Sequence, residues 1–232
     1  MAGVGLQFLN EADIRDSGDI KEQVYAILKK MIMTREFTPN ERLDAHEIAK
    51  RLNVSRTPVR DALNMLDAEG FIITVVRKGT FVTGVYKKDL IELFEQREMI
   101  ELYSLQQGFS GLVKSVDKLS EGIEQWERET SKPDYDGAII LDTDVQIHRS
   151  IVRSSGNNRI YQSYEALNCH VHMARGYYMQ EPQRIHAAHL EHKEIYQAVI
   201  EQDLNKSKLK LKTHIDNTLE SLLKLIDVFK VF

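Results

Sequence analysis

The sequence predicts a mostly α-helical chain in two parts, a helical module closed by a small β-hairpin and then an all-helical bundle. Three observations predict it. Apolar residues recur at three- and four-residue intervals through most of the chain. The pattern changes to short extended runs only around Phe71–Thr83. From Lys88 onward it is almost wholly helical.

Ile20, Val24, Ile27, Leu28, Met31 and Ile32 make the apolar stripe of a first helix, expected to end near Glu36 before the turn at Thr38-Pro39-Asn40. A second helix is expected from about Ala45 to Leu52, with Ile48, Ala49 and Leu52 inward. Asn53 follows where the turn between two helices calls for a left-handed backbone, which asparagine tolerates best among non-glycine residues. Ser55 suits the N-cap of a third helix, and Pro58 sits in its first turn, where a missing N–H costs little. Val59, Ala62, Leu63 and Leu66 form its buried stripe, and Gly70 stops it. Phe71–Thr74 and Thr80–Thr83 then read as two strands around a basic tip, Val75-Val76-Arg77-Lys78-Gly79. Three helices and such a hairpin make a winged helix-turn-helix, expected over residues 19–84. Residues 1–18 are expected to be a flexible tail. In the second part, 88–232, helices are expected from Leu90, over 116–126, near 135–154, and over 158–178, 184–203 and 206–230.

Composition is ordinary for a globular protein at 42% hydrophobic and 28% charged residues, and no apolar run approaches the roughly 20 residues that span a bilayer. A single cysteine, Cys169, excludes an internal disulfide and makes the cytoplasm the expected compartment. Net charge is −4, but residues 19–88 hold 13 Lys/Arg against 9 Asp/Glu, whereas 89–232 hold 17 against 23. That asymmetry places a basic module, suited to a polyanion, ahead of an acidic one.

In a helix-turn-helix, the start of the recognition helix meets base edges while flanking side chains hold phosphates. Arg56 and Arg60 are four apart and share a face near the start of the third helix; a planar guanidinium can donate to both O6 and N7 of guanine. Ser55 and Thr57 can donate to phosphates. Most helical arginines are simply solvated, so the weight rests on the full run: Pro39-x-Glu41-Arg42-Leu43, Glu47-Ile48-Ala49, Leu52 through Leu63, Leu66, Glu69-Gly70 and Lys78-Gly79-Thr80-Phe81-Val82. This run resembles the GntR family of bacterial transcription regulators. The resemblance implies that Ser55, Arg56, Thr57 and Arg60 meet DNA and that Arg77, Lys78 and Gly79 lie along the minor groove. Asn53 departs from the family's turn glycine, and His46 stands where some relatives carry an arginine.

Asp144 and His148 are an i, i+4 pair on one helical face, as surface ion pairs often are. His192 and His214, 22 residues apart on two later helices, allow a fuller set. Three imidazoles and a carboxylate suit zinc, nickel or manganese, and bundle helices can converge such groups on a core. Spacing alone does not choose the ligands, because the chain has eight histidines, among them His170, His172, His186 and His189. Residues 88–230 resemble the FCD ligand-binding domain of the FadR branch of the GntR family. That resemblance implies Asp144, His148, His192 and His214 as metal ligands, with Asn157 fitting the Gly-Asn after the first pair. It also implies that Arg97, in Arg97-x-x-x-Glu101, holds an effector carboxylate. From the residues alone, an internal salt bridge to Glu101 is an equal reading, since a buried arginine needs a partner.

The expectation is therefore a metabolite-responsive repressor that binds an inverted-repeat operator in double-stranded DNA as a homodimer, without a membrane partner. A divalent metal, zinc first, would sit beside a small organic acid effector. The alternative is a metal-dependent enzyme for small carboxylates fused to a DNA-binding module; no HExxH, G-x-S-x-G or Walker signature supports it.

Overall fold

A computed structural model describes residues 4–10, 14, 18–34, 36–84, 86–167 and 182–229. The chain divides into two compact units between Tyr86 and Lys87.

In the first unit, helix α1 (Ile20–Met33) is capped by Asp19, whose carboxylate accepts from the Lys21 amide at 2.8 Å. It ends earlier than Glu36, at the C-cap Thr34, which gives both its amide and its hydroxyl to the Lys30 carbonyl. The chain then turns inward to bury Phe37 completely. Helix α2 (Ala45–Arg51) is capped by Asp44, which accepts from the His46 and Glu47 amides. Helix α3 (Arg56–Ala68) buries Val59, Ala62, Leu63 and Leu66 and packs on α1 and α2. Asn53 between α2 and α3 has φ 50°, the left-handed turn that the pattern called for.

Strands β2 (Ile72–Val75) and β3 (Gly79–Val82) form the hairpin, with Val75 opposite Gly79. A further strand, β1 (Arg42–Leu43), pairs antiparallel with the other edge of β3, giving the order β1-β3-β2. Two residues carry no detectable period, so this strand was not visible in the sequence. The segment expected to be a tail holds a 3-10 helix (Val4–Phe8), with Leu6 and Leu9 buried. The Gly5 amide donates to Glu41 at 2.8 Å. A helix of five residues is too short to register as a pattern.

The second unit contains helices α4 (Lys87–Lys114), α5 (Asp117–Thr130), α6 (Gly137–Ser154), α7 at 158–167, α8 (Pro182–Ile200) and α9 (Leu204–Phe229). The remainder of the helix expected to reach 178, with Cys169, His170 and His172, lies outside the described residues. α4 packs on α6 and α9, α5 on α6 and α8, and α8 on α9. The α4–α6 crossing is close: a Cβ on Gly108 would lie 2.2 Å from the Ser154 carbonyl oxygen. Asn157 caps α7 by accepting from the Arg159 and Ile160 amides. Among the described residues, no helix is long and apolar enough to cross a membrane.

The bundle interior is not uniformly apolar. Arg97 and Glu101 on α4, Asp144 and His148 on α6, His192 on α8 and His214 on α9 are all buried. Buried polar groups of this density must satisfy one another or a ligand.

Candidate functional site

Four helices deliver the buried constellation. Asp144 and His148 share one face of α6, a turn apart, and α8 and α9 bring His192 and His214 to it. One potential ligand atom from each lies within 4.8 Å of every other. Four of the six spacings run from 3.1 to 3.8 Å. Nε2 of His148 is 3.1 Å from Nε2 of His214 and 3.4 Å from Nε2 of His192. Oδ1 of Asp144 is 3.4 Å from His192 Nε2 and 3.8 Å from His148 Nε2. Ligand atoms about 2.1 Å from one ion are about 3.0 Å apart at right angles and about 3.4 Å apart at the tetrahedral angle. Three of these four distances, 3.1, 3.4 and 3.4 Å, lie near those values, and the fourth, 3.8 Å, is longer.

Glu101 accepts with Oε1 from Arg97 Nε at 2.6 Å and from the Tyr164 hydroxyl at 3.0 Å. His148 Nδ1, 2.7 Å from the other Glu101 oxygen, is therefore the donor, which leaves a lone pair on Nε2. Glu191 plays the same part for His214, whose Nδ1 lies 2.7 Å away. Burial opposes a charge on Glu191, but hydrogen bonds from His214 and Arg184 outweigh it and hold its carboxyl down at about 2. Arg184 grips it with both terminal nitrogens, at 2.7 and 2.8 Å, and Asn217 adds a bond at 2.8 Å. His214 is fully enclosed, and that burial lowers its pKa despite Glu191. Two imidazole lone pairs thus face each other at 3.1 Å beside a carboxylate. Three imidazoles and a carboxylate converging in this way make an N3O donor set that fits zinc or a neighbouring divalent metal.

Arg97 is fully buried and does form the internal salt bridge with Glu101. Burial disfavours its charge, but Glu101, Tyr164 and Asp144 more than compensate and raise its pKa. The guanidinium is not consumed by that pair. Nη2 reaches His148 Nε2 at 3.0 Å, and Nη1 has no hydrogen-bond partner among the described residues. The carboxylates Glu101 and Glu191, with Tyr164 and Arg184, complete the site. Spacing named none of them as positioning groups, although Glu101 and Glu191 stand beside residues it singled out. Of the other described histidines, His186 is exposed, and His189 stacks on Trp126 with ring centroids 6.0 Å apart, outside the cluster. Trp126, the chain's one tryptophan, also meets the His192 ring edge-on at 5.2 Å.

In the first unit Ser55, Arg56, Thr57 and Arg60 are all exposed at the start of α3, and Arg77 and Lys78 are exposed at the wing tip. Ser55 takes the extended N-cap conformation, φ −69° and ψ 163°, but its hydroxyl makes no capping bond. The expected side-chain cap is thus absent. Arg77 at φ 64° and Gly79 at φ 123° turn the tip. None of the four cations is ion-paired among the described residues, whereas Lys29 is tied to Glu69 at 2.8 Å. Unpaired cations on an exposed helix start and wing suit phosphate and base-edge contacts. Arg42, whose Nε would lie 3.0 Å from a Cβ on Gly79, adds a further exposed cation against the wing. Its position follows from the short strand β1, so its place beside the wing was not readable from spacing.

Residues 20–82 match the family model described as bacterial regulatory proteins, gntR family, and residues 92–217 match the FCD domain. The chain is 29% identical over 195 residues to an HTH-type transcriptional regulator from an unstable DNA locus of Streptomyces ambofaciens, covering 84% of this chain and 81% of that protein. A GntR transcriptional regulator from Rhodococcus sp. RHA1 superposes with TM-score 0.69 at 22% identity, over 88% of this chain and 97% of that one, and shares the fold. The Zn2+-bound FCD domain of TM0439 matches with TM-score 0.52 at 26% identity, over 61% of this chain and 96% of that one.

Proposed function

The chain belongs to the gntR family of bacterial regulatory proteins and carries its FCD domain, and from that premise we propose that it represses transcription under the control of a metal-bound carboxylate effector. It is a DNA-binding transcriptional regulator. The family and its relatives are named as regulators, so the alternative of a metal-dependent enzyme gives way.

In this reading residues 19–84 hold the reading head, with Arg56 and Arg60 on base edges, Ser55 and Thr57 on phosphates, and Arg77, Lys78 and Gly79 in the adjacent minor groove. Residues 88–232 hold the effector and the dimer contacts, and two copies read an inverted repeat. Asp144, His148, His192 and His214 hold the metal, zinc before nickel or manganese. When bound, that metal supplies open positions for effector oxygens. Arg97 holds the effector's charge.

The observation that carries the metal reading is the convergence of Asp144, His148, His192 and His214, with His148 Nε2 and His214 Nε2 3.1 Å apart and a carboxylate 2.7 Å from each Nδ1. The zinc-bound relative supports zinc as the first choice. The test is elemental analysis of the purified protein. One equivalent of metal, lost in His192→Ala, is expected; a metal-free wild type after incubation with zinc refutes it.

A further inference from the structure

Glu41 links three parts of the first unit. Its Oε1 accepts from the Gly5 amide at 2.8 Å, and its Oε2 accepts from the Thr38 amide and hydroxyl at 3.0 and 2.9 Å. Its backbone carbonyl accepts from the Val82 amide in β3 at 2.9 Å, and the Asn40 amide beside it donates to the Val82 carbonyl, also at 2.9 Å. Resting on the reading that the wing meets DNA, we propose that the segment 4–9 positions the wing. Docked through Glu41, it steadies the strand edge that carries β3 and so sets how Arg77 and Lys78 reach the minor groove.

Three features make the docking specific. Leu6 and Leu9 are each 4% exposed, and the segment packs on α2. A Cβ on Gly5 would lie 2.2 Å from Cδ1 of Phe37 and 2.5 Å from the Glu36 carbonyl oxygen, so no larger residue fits this path. Phe37 is itself fully buried and has no room to swing aside. The wing, for its part, needs an anchor. A hairpin of two four-residue strands is marginal alone and depends on what it packs against. Here β3 is bordered by β1, only two residues long, through the pairs Arg42–Phe81 and Leu43–Thr80. The bonds of Asn40 and Glu41 to Val82 lengthen that edge, and both residues belong to the turn that the Glu41 carboxylate closes onto Thr38. Without the segment, the carboxylate loses its Gly5 donor and Phe37 loses the backbone that lies against its ring. The edge then frays at Val82, and the wing tip at the other end of β3 samples a wider range of positions. Arg77 and Lys78 keep their charges but not their aim, and ordering them on DNA costs more entropy.

The test measures binding of the full chain to an operator selected from random DNA, by fluorescence anisotropy at several salt concentrations. Four proteins form a cycle: wild type, Gly5→Val, a wing variant carrying Arg77→Ala with Lys78→Ala, and the combination of the two changes. Gly5→Val is expected to weaken binding about tenfold and to reduce the salt slope by about 2, the share of two phosphate contacts. The base preferences read by α3 should stay those of wild type. Removing both wing cations is expected to cost about tenfold in wild type but less than about threefold in the Gly5→Val background, the non-additivity of coupled positions. Should Gly5→Val not fold, judged by its thermal melt, Leu9→Ala takes its place in the same cycle. Equal fold-losses in the two backgrounds overturn the proposal, because the segment then serves stability alone while the wing reading stands. No loss on removing the wing cations from wild type overturns the wing reading and the proposal with it.

Discussion

Replacing Glu191 by glutamine tests whether the carboxylates behind the histidines set metal affinity. Glu191 accepts from His214, from Arg184 twice and from Asn217. A glutamine keeps the shape and one acceptor oxygen but removes the charge that holds His214 with its Nε2 lone pair toward the cluster. Outer-shell changes of this type cost 10- to 100-fold in metal affinity, or about 1.4–2.8 kcal/mol. Folding stability should also fall, because Arg184 loses the negative charge of its carboxylate partner. Breaking a fully buried pair costs about 3–5 kcal/mol. Here the two side chains retain 10% and 15% exposure and glutamine keeps some bonds, so about 1–3 kcal/mol is expected. Zinc competition with a chelator measures the first effect and urea unfolding in EDTA the second. Glu194→Gln is the control: it lies on the same helix in an exposed pair with Lys210 and should change neither. Unchanged zinc affinity in Glu191→Gln would refute the argument that this carboxylate fixes the ligand. The pH dependence follows with a definite sign. The carboxyl is held at about 2 against an ordinary 4.5, so its stabilising effect is complete above pH 4.5 and is lost as pH falls towards 2. The stability gap between metal-free wild type and Glu191→Gln should close over that window, and a constant gap contradicts the assignment.

Arg60→Ala should weaken specific operator binding by about 1–3 kcal/mol and relax preference at one base position, whereas an unchanged gel shift removes it from the readout. Arg77→Ala should weaken binding to all sequences alike and reduce the salt slope by about 1, which titration at several salt concentrations checks. Asn53→Ala should cost about 1 kcal/mol at φ 50°, while Asn53→Gly should be neutral or stabilising; equal melting temperatures for the two variants contradict the left-handed turn. Gly108→Ala should destabilise by about 1–3 kcal/mol, because its Cβ meets the Ser154 backbone, which cannot swing aside as a side chain would. A melt indistinguishable from wild type would show that the crossing yields.

Local rules made much of the first unit readable. The stripe Val59, Ala62, Leu63 and Leu66, the left-handed Asn53 and the stop at Gly70 each follow from a few neighbouring residues and all appear in the structure. What escaped was either too short or too remote. β1 is two residues long, and the buried Leu6 and Leu9 lie in a segment without a period. The second unit shows the same divide. Helical spacing located α4, α5 and α6, but the meeting of His148 with His214, 66 residues away, is a product of bundle packing. Resemblance, not spacing, singled out those histidines from eight. The tautomer-fixing role of Glu191 and the hydrogen bond from Arg97 to His148 depend on side-chain placement that no one-dimensional pattern contains.

In the proposed function, the buried histidine cluster governs what the exposed arginines do. That control is tested most directly by measuring the affinity of the full-length protein for an operator selected from random DNA, with zinc present and across a panel of small carboxylic acids. At least one acid should weaken wild-type binding tenfold or more by way of a typical allosteric coupling, and the same acid should leave His192→Ala unaffected. An acid that releases DNA equally from wild type and His192→Ala would contradict the account.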